Sequence, residues 1–291
     1  MRRRPPFLGR TAIVGVGYTP FYRESGRSVL SLALEACEAA IADSGLTRSE
    51  VDGVASYSML SDSVQSHAVA TALALPALGY ILDLNAGGQA PCHLIAQAAL
   101  AVEAGLASSV VVFRALNGRS GVRVGSAGNP GFTAQYRYPI GFNAYPYYMA
   151  LWTRRYLVET GAGDEDLAAV VARQRLYAAV NERAVVRDPL SLDEYRALPR
   201  LADPLRTADC TREVDGAVAL VVTSLERARD LPNRPAVIEG AAYLRGGRSG
   251  LDVGDVVLWD DYSRNYTNEL AVGLWESAGM RPEDIQFAEI Y

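Results

Sequence analysis

The sequence predicts an α/β protein, a sheet layered with helices and built as two related halves. Three observations point there. Short apolar runs of strand length alternate with alanine-rich helical stretches between residues 11 and 115. A stretch rich in Gly, Pro and aromatic residues interrupts that alternation from Asn117 to about Tyr148. A motif that leads out of one helix early in the chain recurs close to Tyr291.

Taken in order, Thr11 to Val16 has the apolar pattern of a buried strand and ends in Gly15-x-Gly17. The pair looks like the start of a dinucleotide fingerprint, but the third glycine of G-x-G-x-x-G falls at Pro20. Ser28 to Ser44 is an alanine- and leucine-rich helix closed by Gly45. The alternation continues with strand Val51 to Met59, helix Ser66 to Leu75, strand Tyr80 to Leu84, helix Gln89 to Ala104 and strand Ser109 to Ala115. After the interruption, helices resume at Ala150 to Glu159 and Asp164 to Asn181, and a core strand returns at Gly216 to Thr223. Leu231-Pro-Asn-Arg-Pro235 is a linker, and Ala236 to Tyr243 opens a second unit as its first strand.

Gly45-Leu-Thr-Arg-Ser-Glu50-Val51 leads through a strand to Tyr57, and Gly279-Met-Arg-Pro-Glu-Asp284-Ile285 leads to Tyr291 at the same spacing. Helix-to-strand loops look alike by chance, and duplicated halves give the same pattern. On the second reading the final copy stops where the first still has several elements to come. An apolar strand is then left uncovered.

Composition excludes several function classes. The chain has 291 residues, is 49% hydrophobic and 21% charged, and can bury a large core as one domain or two. With 28 basic residues against 33 acidic and a net charge of -5, it has no basic stripe for nucleic acid. All 28 are arginine, so chemistry that needs a lysine is excluded: Schiff-base aldol cleavage, pyridoxal phosphate catalysis and a Walker A loop. Two histidines, His67 and His93, with no metal-ligand spacing argue against a zinc site or any other metal. Cys37, Cys92 and Cys210, unevenly spaced, fit a reducing, cytoplasmic compartment. Met-Arg-Arg-Arg-Pro-Pro-Phe-Leu-Gly is not followed by an apolar stretch before Arg10, so no secretion signal is expected. Val110 to Phe113 and Ala217 to Val222 are too short to span a bilayer, so no membrane association is expected.

Three segments resemble the thiolase superfamily, and its sterol-carrier type in particular. They are Ile13-Val-Gly-Val-Gly-Tyr-Thr-Pro20, Ala150-Leu-Trp-Thr-Arg-Arg-Tyr156, and Ala202-Asp-Pro-Leu-Arg-Thr-Ala-Asp-Cys210 running into Asp215-Gly-Ala-Val-Ala-Leu-Val-Val-Thr-Ser224. The resemblance implies a thiolase-like fold of duplicated α/β/α halves. On it, 9–232 is the first half with an inserted loop domain at about 117–210, and 233–291 begins a second, incomplete half.

In thiolases a nucleophilic cysteine opens the helix that ends in Ala-Gly-Leu, and counting back from Ala104-Gly105-Leu106 lands on Gly88. Glycine there, within Asn85-Ala-Gly-Gly-Gln89, is similar to the thiolase-like aldolases of steroid side-chain degradation. The resemblance implies retro-aldol cleavage of a steroid-type β-hydroxyacyl-CoA to a 17-ketosteroid and propionyl-CoA. It also implies a homodimer joined through an edge strand of the first half. A small acyl-CoA-binding partner of zinc-ribbon and OB-fold type is implied as well, with no cofactor beyond the coenzyme A of the substrate. Two other readings stay open, a non-catalytic acyl-CoA or lipid-binding subunit and a thiolase-type acyltransferase that uses Cys92.

Such a cleavage needs a base for the β-hydroxyl proton, stabilisation of the thioester enolate, and an acid to protonate it. Gly87 and Gly88 at a helix start either present backbone N–H groups and the helix dipole to the thioester oxygen or simply make the turn. For acid and base, 16 tyrosines stand against two histidines. Tyr266, within Asp260-Asp-Tyr-Ser-Arg-Asn-Tyr-Thr-Asn268, matches by position a tyrosine that the resembling aldolases use, and Tyr262 in the same loop is the alternative. Tyr291 stands where the sterol-carrier type has the histidine of a His-Asp-x-Phe motif.

Phe142, Tyr145, Tyr147 and Tyr148 belong to an aromatic segment that either walls a steroid-sized channel or packs the inserted region or a subunit contact. Cys92 is expected as a small buried hydrophobe and His93 as a histidine bonded to a nearby backbone group or acid. Asp203, Asp209 and Asp215 are read as structural.

Overall fold

The computed structural model describes residues 4–59, 61–121, 134–243 and 267–290. They fall into two compact units, divided after Gly121 and again before Asp215, with the residues from Thr267 onward returning to the first. The division lies a few residues beyond the expected insertion at each end. The strand before it runs to Asn117, and residues 119 and 120 are held by Asp215.

The first unit opens with β1 (Thr11–Tyr18), α1 (Val29–Ser44), β2 (Gly53–Ser58), α2 (Ser66–Ala72), β3 (Tyr80–Asn85), α3 (Ala90–Glu103) and β4 (Ser109–Asn117). The second unit carries α4 (Ala134–Arg137), α5 (Tyr145–Thr160), α6 (Asp164–Val180), α7 (Leu192–Ala197), β5 (Arg200–Ala202) and β6 (Leu205–Arg206). The first unit resumes with β7 (Asp215–Ser224), α8 (Leu225–Ala228), β8 (Ala236–Val237) and α9 (Thr267–Ala278).

The main sheet has the order β3-β2-β4-β7-β1-β8. β2 runs parallel to both β3 and β4, while β7 is antiparallel to β4 and to β1. Helices cover both faces, which is why the central strands read as continuous apolar runs. On one face Val54, Val111, Phe113, Ala115, Ala219 and Val221 pack with residues of α1 and α2. On the other, Ala55, Val110, Val112 and Val222 pack with Leu94, Ala98, Ala99 and Val102 of α3.

α1 forms where its sequence says it should. The Ser28 side chain accepts from the Ser31 backbone N–H at 3.1 Å, and Gly45 ends the helix in the left-handed conformation with φ 77°. The Gly15-x-Gly17 pair serves this helix. A Cβ on Gly15 would lie 2.3 Å from the Ala40 carbonyl oxygen, and one on Gly17 would lie 2.1 Å from that of Ala36. Only glycine lets α1 lie so close on β1.

The recurring motif has one local structure in both copies. A helix stops at a glycine with positive φ, 77° at Gly45 and 66° at Gly279, and a 3₁₀ turn follows at Arg48–Glu50 and at Pro282–Asp284. Beyond that turn the copies diverge. Gly53 to Ser58 enter the sheet as β2, whereas residues 285–290 form no ladder among the described residues. Phe287 and Ile290 are 81% and 89% exposed there. The strand expected up to Tyr291 is thus not formed over 285–290, because apolar pattern supplies propensity but no neighbouring strand pairs with it. Tyr291 lies outside the described residues.

A second correction concerns Ala236 to Tyr243. Only Ala236 and Val237 join the sheet, opposite Ile13 and Ala12, and hydrogen bonds of Ile238 with Thr11 and Gly9 continue the contact by one residue. β1 itself begins at Thr11, and Pro5 to Arg10 is held in turns, so the later residues have no extended partner on that side.

In the second unit α5 begins at Tyr145, five residues ahead of the predicted start at Ala150. Pro146 sits in its first turn, where the missing N–H costs nothing. α6 starts with Asp164, Glu165 and Asp166 at its positive end. The structural reading of the three aspartates holds. Asp203 pairs with Arg154 and Arg200, and Asp209 accepts from the Tyr195 hydroxyl and, at 2.6 Å, from the Arg206 backbone N–H. Tyr195 is buried, and that burial, with Asp209 beside it, pushes its phenol well above the usual range.

Candidate functional site

β2, β3 and β4 run in one direction, so their carboxyl ends at Ser58, Asn85 and Asn117 lie along one edge of the sheet. In an open α/β sheet that is the edge where ligands bind. Asp215, the first residue of antiparallel β7, pairs with Asn117 and therefore belongs to the same edge.

The link from β3 to α3 is the turn Ala86–Gln89, which contains Gly87 and Gly88. The Ala86 N–H donates to the Ser58 carbonyl at 3.0 Å, and the Ala90 N–H donates to the Gly87 carbonyl at 3.0 Å. Gly87 is half-buried and Gly88 exposed, and neither has a positive φ. A Cβ on Gly87 would meet the far end of the flexible Gln89 side chain at 2.8 Å and the Met59 sulfur at 3.7 Å. Neither the φ values nor the space at Gly87 demand glycine here, and the bare backbone is the distinctive feature. α3 starts behind it with no side-chain cap from Gln89 and no acidic residue in the first turn, so its positive end is not neutralised from within.

Tyr262 and Tyr266 lie outside the described residues, as does Tyr291. Phe142, Tyr145, Tyr147 and Tyr148 are all in the second unit, where they pack on one another. The Phe142 ring stacks on Tyr147 at 5.8 Å and meets Tyr148 edge-on at 4.8 Å, and Tyr145 meets Tyr148 edge-on at 6.5 Å. Tyr148 is buried and bonds Arg137 through its hydroxyl, while Tyr147 packs on Ala150, Ala202 and Leu205. Their packing within that unit is what the described residues show.

Two expectations on α3 are corrected. Cys92 is exposed, because the buried face of the helix is Ala90, Leu94, Ala98, Ala99, Ala101 and Val102, and Cys92 points away from it. Cys37 on α1 is the buried thiol, and its burial pushes the pKa far up. The His93 ring lies against Tyr243, with centroids 4.4 Å apart, and pairs with no acid among the described residues. His67 is exposed on α2.

Two polar groups organise this edge, Asp215, whose structural reading holds, and a second that the sequence reading missed. The Asp215 carboxylate is fully buried and accepts from the backbone N–H groups of Ser25 at 2.9 Å, Arg119 at 2.9 Å and Ser120 at 3.0 Å, and from the Ser120 hydroxyl at 2.5 Å. Burial alone would raise its pKa, but the bonds from Ser120 and Ser25 outweigh it and hold the carboxyl below the usual range. It ties the chain after β1 to the chain after β4.

The second group is Arg114 on β4, which forks onto Asp62. Its only sequence signal is a charge that interrupts the apolar run Ser109 to Ala115 on the face occupied by Val110 and Val112.

Among the described residues no helix is long and apolar enough to cross a membrane. No protein-family model matches the chain. It is 37% identical over 297 aligned residues to the 17-hydroxy-3-oxo-4-pregnene-20-carboxyl-CoA lyase of Mycobacterium tuberculosis, a match covering 97% of this chain and 75% of that protein. It is 39% identical over 297 aligned residues to a steroid side-chain-cleaving aldolase of Thermomonospora curvata, covering 97% and 74%. Among solved structures, a complex described as an Ltp2-ChsH2(DUF35) aldolase superposes with a TM-score of 0.87 at 36% identity, covering 96% of this chain and 72% of that one.

Proposed function

Because the chain belongs to the steroid side-chain-cleaving aldolases of the thiolase superfamily, we propose that it cleaves a steroid-type β-hydroxyacyl-CoA by a retro-aldol reaction, releasing a ketosteroid and propionyl-CoA. The observation that carries this reading is the Gly87–Gly88 turn. It offers bare backbone at the start of α3, on the carboxyl edge of the parallel strands.

A thioester oxygen seated there would gain from backbone donors and the positive helix end as the C–C bond breaks and charge moves onto the enolate. Losing one such donor costs about 3 kcal/mol of transition-state stabilisation. A tyrosine takes the β-hydroxyl proton and a tyrosine protonates the enolate carbon. Tyr266 is assigned first, with Tyr291 as a second candidate and Tyr262 as the alternative in the loop of Tyr266. The aromatic residues Phe142, Tyr145, Tyr147 and Tyr148 are assigned to the channel for the steroid nucleus. Atoms balance without an external oxidant or a bound cofactor, and coenzyme A enters and leaves on the acyl group.

A small partner subunit is part of this reading, supported by the composition of the aldolase complex that the chain resembles. A zinc-ribbon and OB-fold partner, a homodimer and a cytoplasmic setting are proposed with it.

The test is release of propionyl-CoA from a steroid β-hydroxyacyl-CoA by the chain with its partner subunit. Tyr266→Phe is expected to lower kcat by on the order of 100-fold or more, the contribution typical of a general acid or base. Cys92→Ser is expected to retain activity although Cys92 is exposed. Full activity in Tyr266→Phe would remove that assignment, and an acyl group trapped on Cys92 would replace the aldol reading with acyl transfer.

A further inference from the structure

Arg114 stands on the α3-covered face of the sheet, in line with Val110 and Val112, in the strand β4 that borders β2. Its guanidinium donates to both oxygens of Asp62, Nη1 to Oδ1 at 2.8 Å and Nη2 to Oδ2 at 2.6 Å. Nη1 also donates to the Tyr57 carbonyl at 3.2 Å, and the cationic group lies 4.6 Å from the centre of the Tyr57 ring. Asp62 is shared in turn, since its Oδ1 accepts from the Met59 backbone N–H at 2.9 Å. The two side chains are 17% and 10% exposed.

An ion pair so withdrawn from water contributes little net stability, because desolvation offsets most of the attraction. What it does supply is geometry. A bidentate fork has one good orientation, and here both partners also hold backbone groups. Those groups flank the end of β2: the Tyr57 carbonyl, and the Met59 N–H one residue past Ser58. That segment is the one the Gly87–Gly88 turn rests on, through the bond from the Ala86 N–H to the Ser58 carbonyl and through Met59, whose sulfur would lie 3.7 Å from a Cβ on Gly87.

We infer that Arg114 and Asp62 are positioning residues: from β4 and the loop after β2 they set the height of the Gly87–Gly88 turn, and with it the thioester oxygen site. This rests on the aldolase reading for its catalytic meaning, but the structural part stands apart from it. Three of the four residues Ala86–Gln89 are alanine or glycine and Gly88 and Gln89 are exposed, so the turn has little packing of its own to define its place and the neighbouring strand end must define it.

The experiment compares the full chain with Arg114→Gln, Asp62→Asn, the double variant and Arg114→Lys. Hydrogen–deuterium exchange over residues 84–90 and propionyl-CoA release with the partner subunit are the two readouts. Exchange in that segment is expected to quicken in both single variants and the double. The fall in kcat is expected to be on the order of 100-fold, as for a reacting group displaced by about 1 Å, with KM nearly unchanged. The double variant should be no worse than either single one, and Arg114→Lys should restore part of the rate without the fork.

If a single variant fails to fold, the double variant and Arg114→Lys carry the same comparison, since neither leaves a lone buried charge. Unchanged exchange over 84–90 overturns the inference, and so does a rate loss that merely follows a fall in melting temperature. If exchange quickens in the variants while the unaltered chain releases no propionyl-CoA, the positioning stands and the aldolase reading falls.

Discussion

Two glycine pairs mark two corners of the same sheet, and they do opposite work. At Gly15 and Gly17 every added atom would strike backbone, because α1 lies against β1 with Ala36 and Ala40 in the contact. Asp215 closes the far end of that corner, with its carboxylate bonded to three backbone N–H groups and a hydroxyl. At Gly87 and Gly88 the backbone is in ordinary territory, and the nearest obstacle to a Cβ on Gly87 is a side chain that can swing away. The first pair is a requirement of packing. Gly87 is free of that requirement, which leaves access to the backbone as the physical reason for glycine there.

Substitutions in the two corners test the contrast. Gly17→Ala should have the largest effect, since its Cβ would sit 2.1 Å from the Ala36 carbonyl oxygen and α1 must move off the sheet. Overpacking against a backbone that cannot yield costs about 3 kcal/mol or more, and a chemical denaturation midpoint close to that of the unaltered chain would contradict the close-packed reading.

Asp215→Asn should come next. It replaces a carboxylate that only accepts with a group that points N–H donors at N–H donors, for a loss of about 2 kcal/mol. The pH dependence has a definite sign. The folded carboxyl titrates below its unfolded value, so its contribution is complete above the unfolded pKa and is lost as pH falls through the folded one. The stability gap between the unaltered chain and Asp215→Asn is therefore expected to be constant near neutrality and to narrow below about pH 4, followed by thermal melts. A gap that widens in acid would mean the carboxyl is not held ionised.

Gly87→Ala should have the smallest effect on stability, within about 0.5 kcal/mol, because only the Gln89 side chain must give way. Its melting temperature should match the unaltered chain while its rate of propionyl-CoA release falls. A loss of stability as large as that of Gly17→Ala would erase the distinction between the corners.

Much of the fold was legible because periodicity and caps are local. Ser28 and Gly45 bracket α1 as their residue types suggest, and the alternation from Thr11 to Asn117 forms in the order read. The duplicated motif was legible for the same reason, down to the positive φ at Gly45 and Gly279. Of the candidate site, only the place of one segment in the fold was legible. The Gly87–Gly88 turn lies on the carboxyl edge at the start of α3, whereas the tyrosines Tyr262, Tyr266 and Tyr291 are outside the described residues. Cys92 went the other way from expectation, since a helix of small residues has a weak apolar stripe and composition alone does not tell which side faces the sheet.

By itself the sequence determined the α/β class, the ends of α1 and the absence of lysine chemistry, since each depends on residues within a few positions of one another or on composition alone. The tertiary structure decided which apolar runs become strands. Ala236–Val237 found β1, while residues 285–290 found no partner strand among the described residues, because pairing is a property of two segments. It also decided the polar partnerships: Arg114 and Asp62 are 52 residues apart, and Asp215 meets Ser25 across 190. A charged side chain carries no local sign of the partner it will meet, and only the strand order of the sheet brings those groups to one edge.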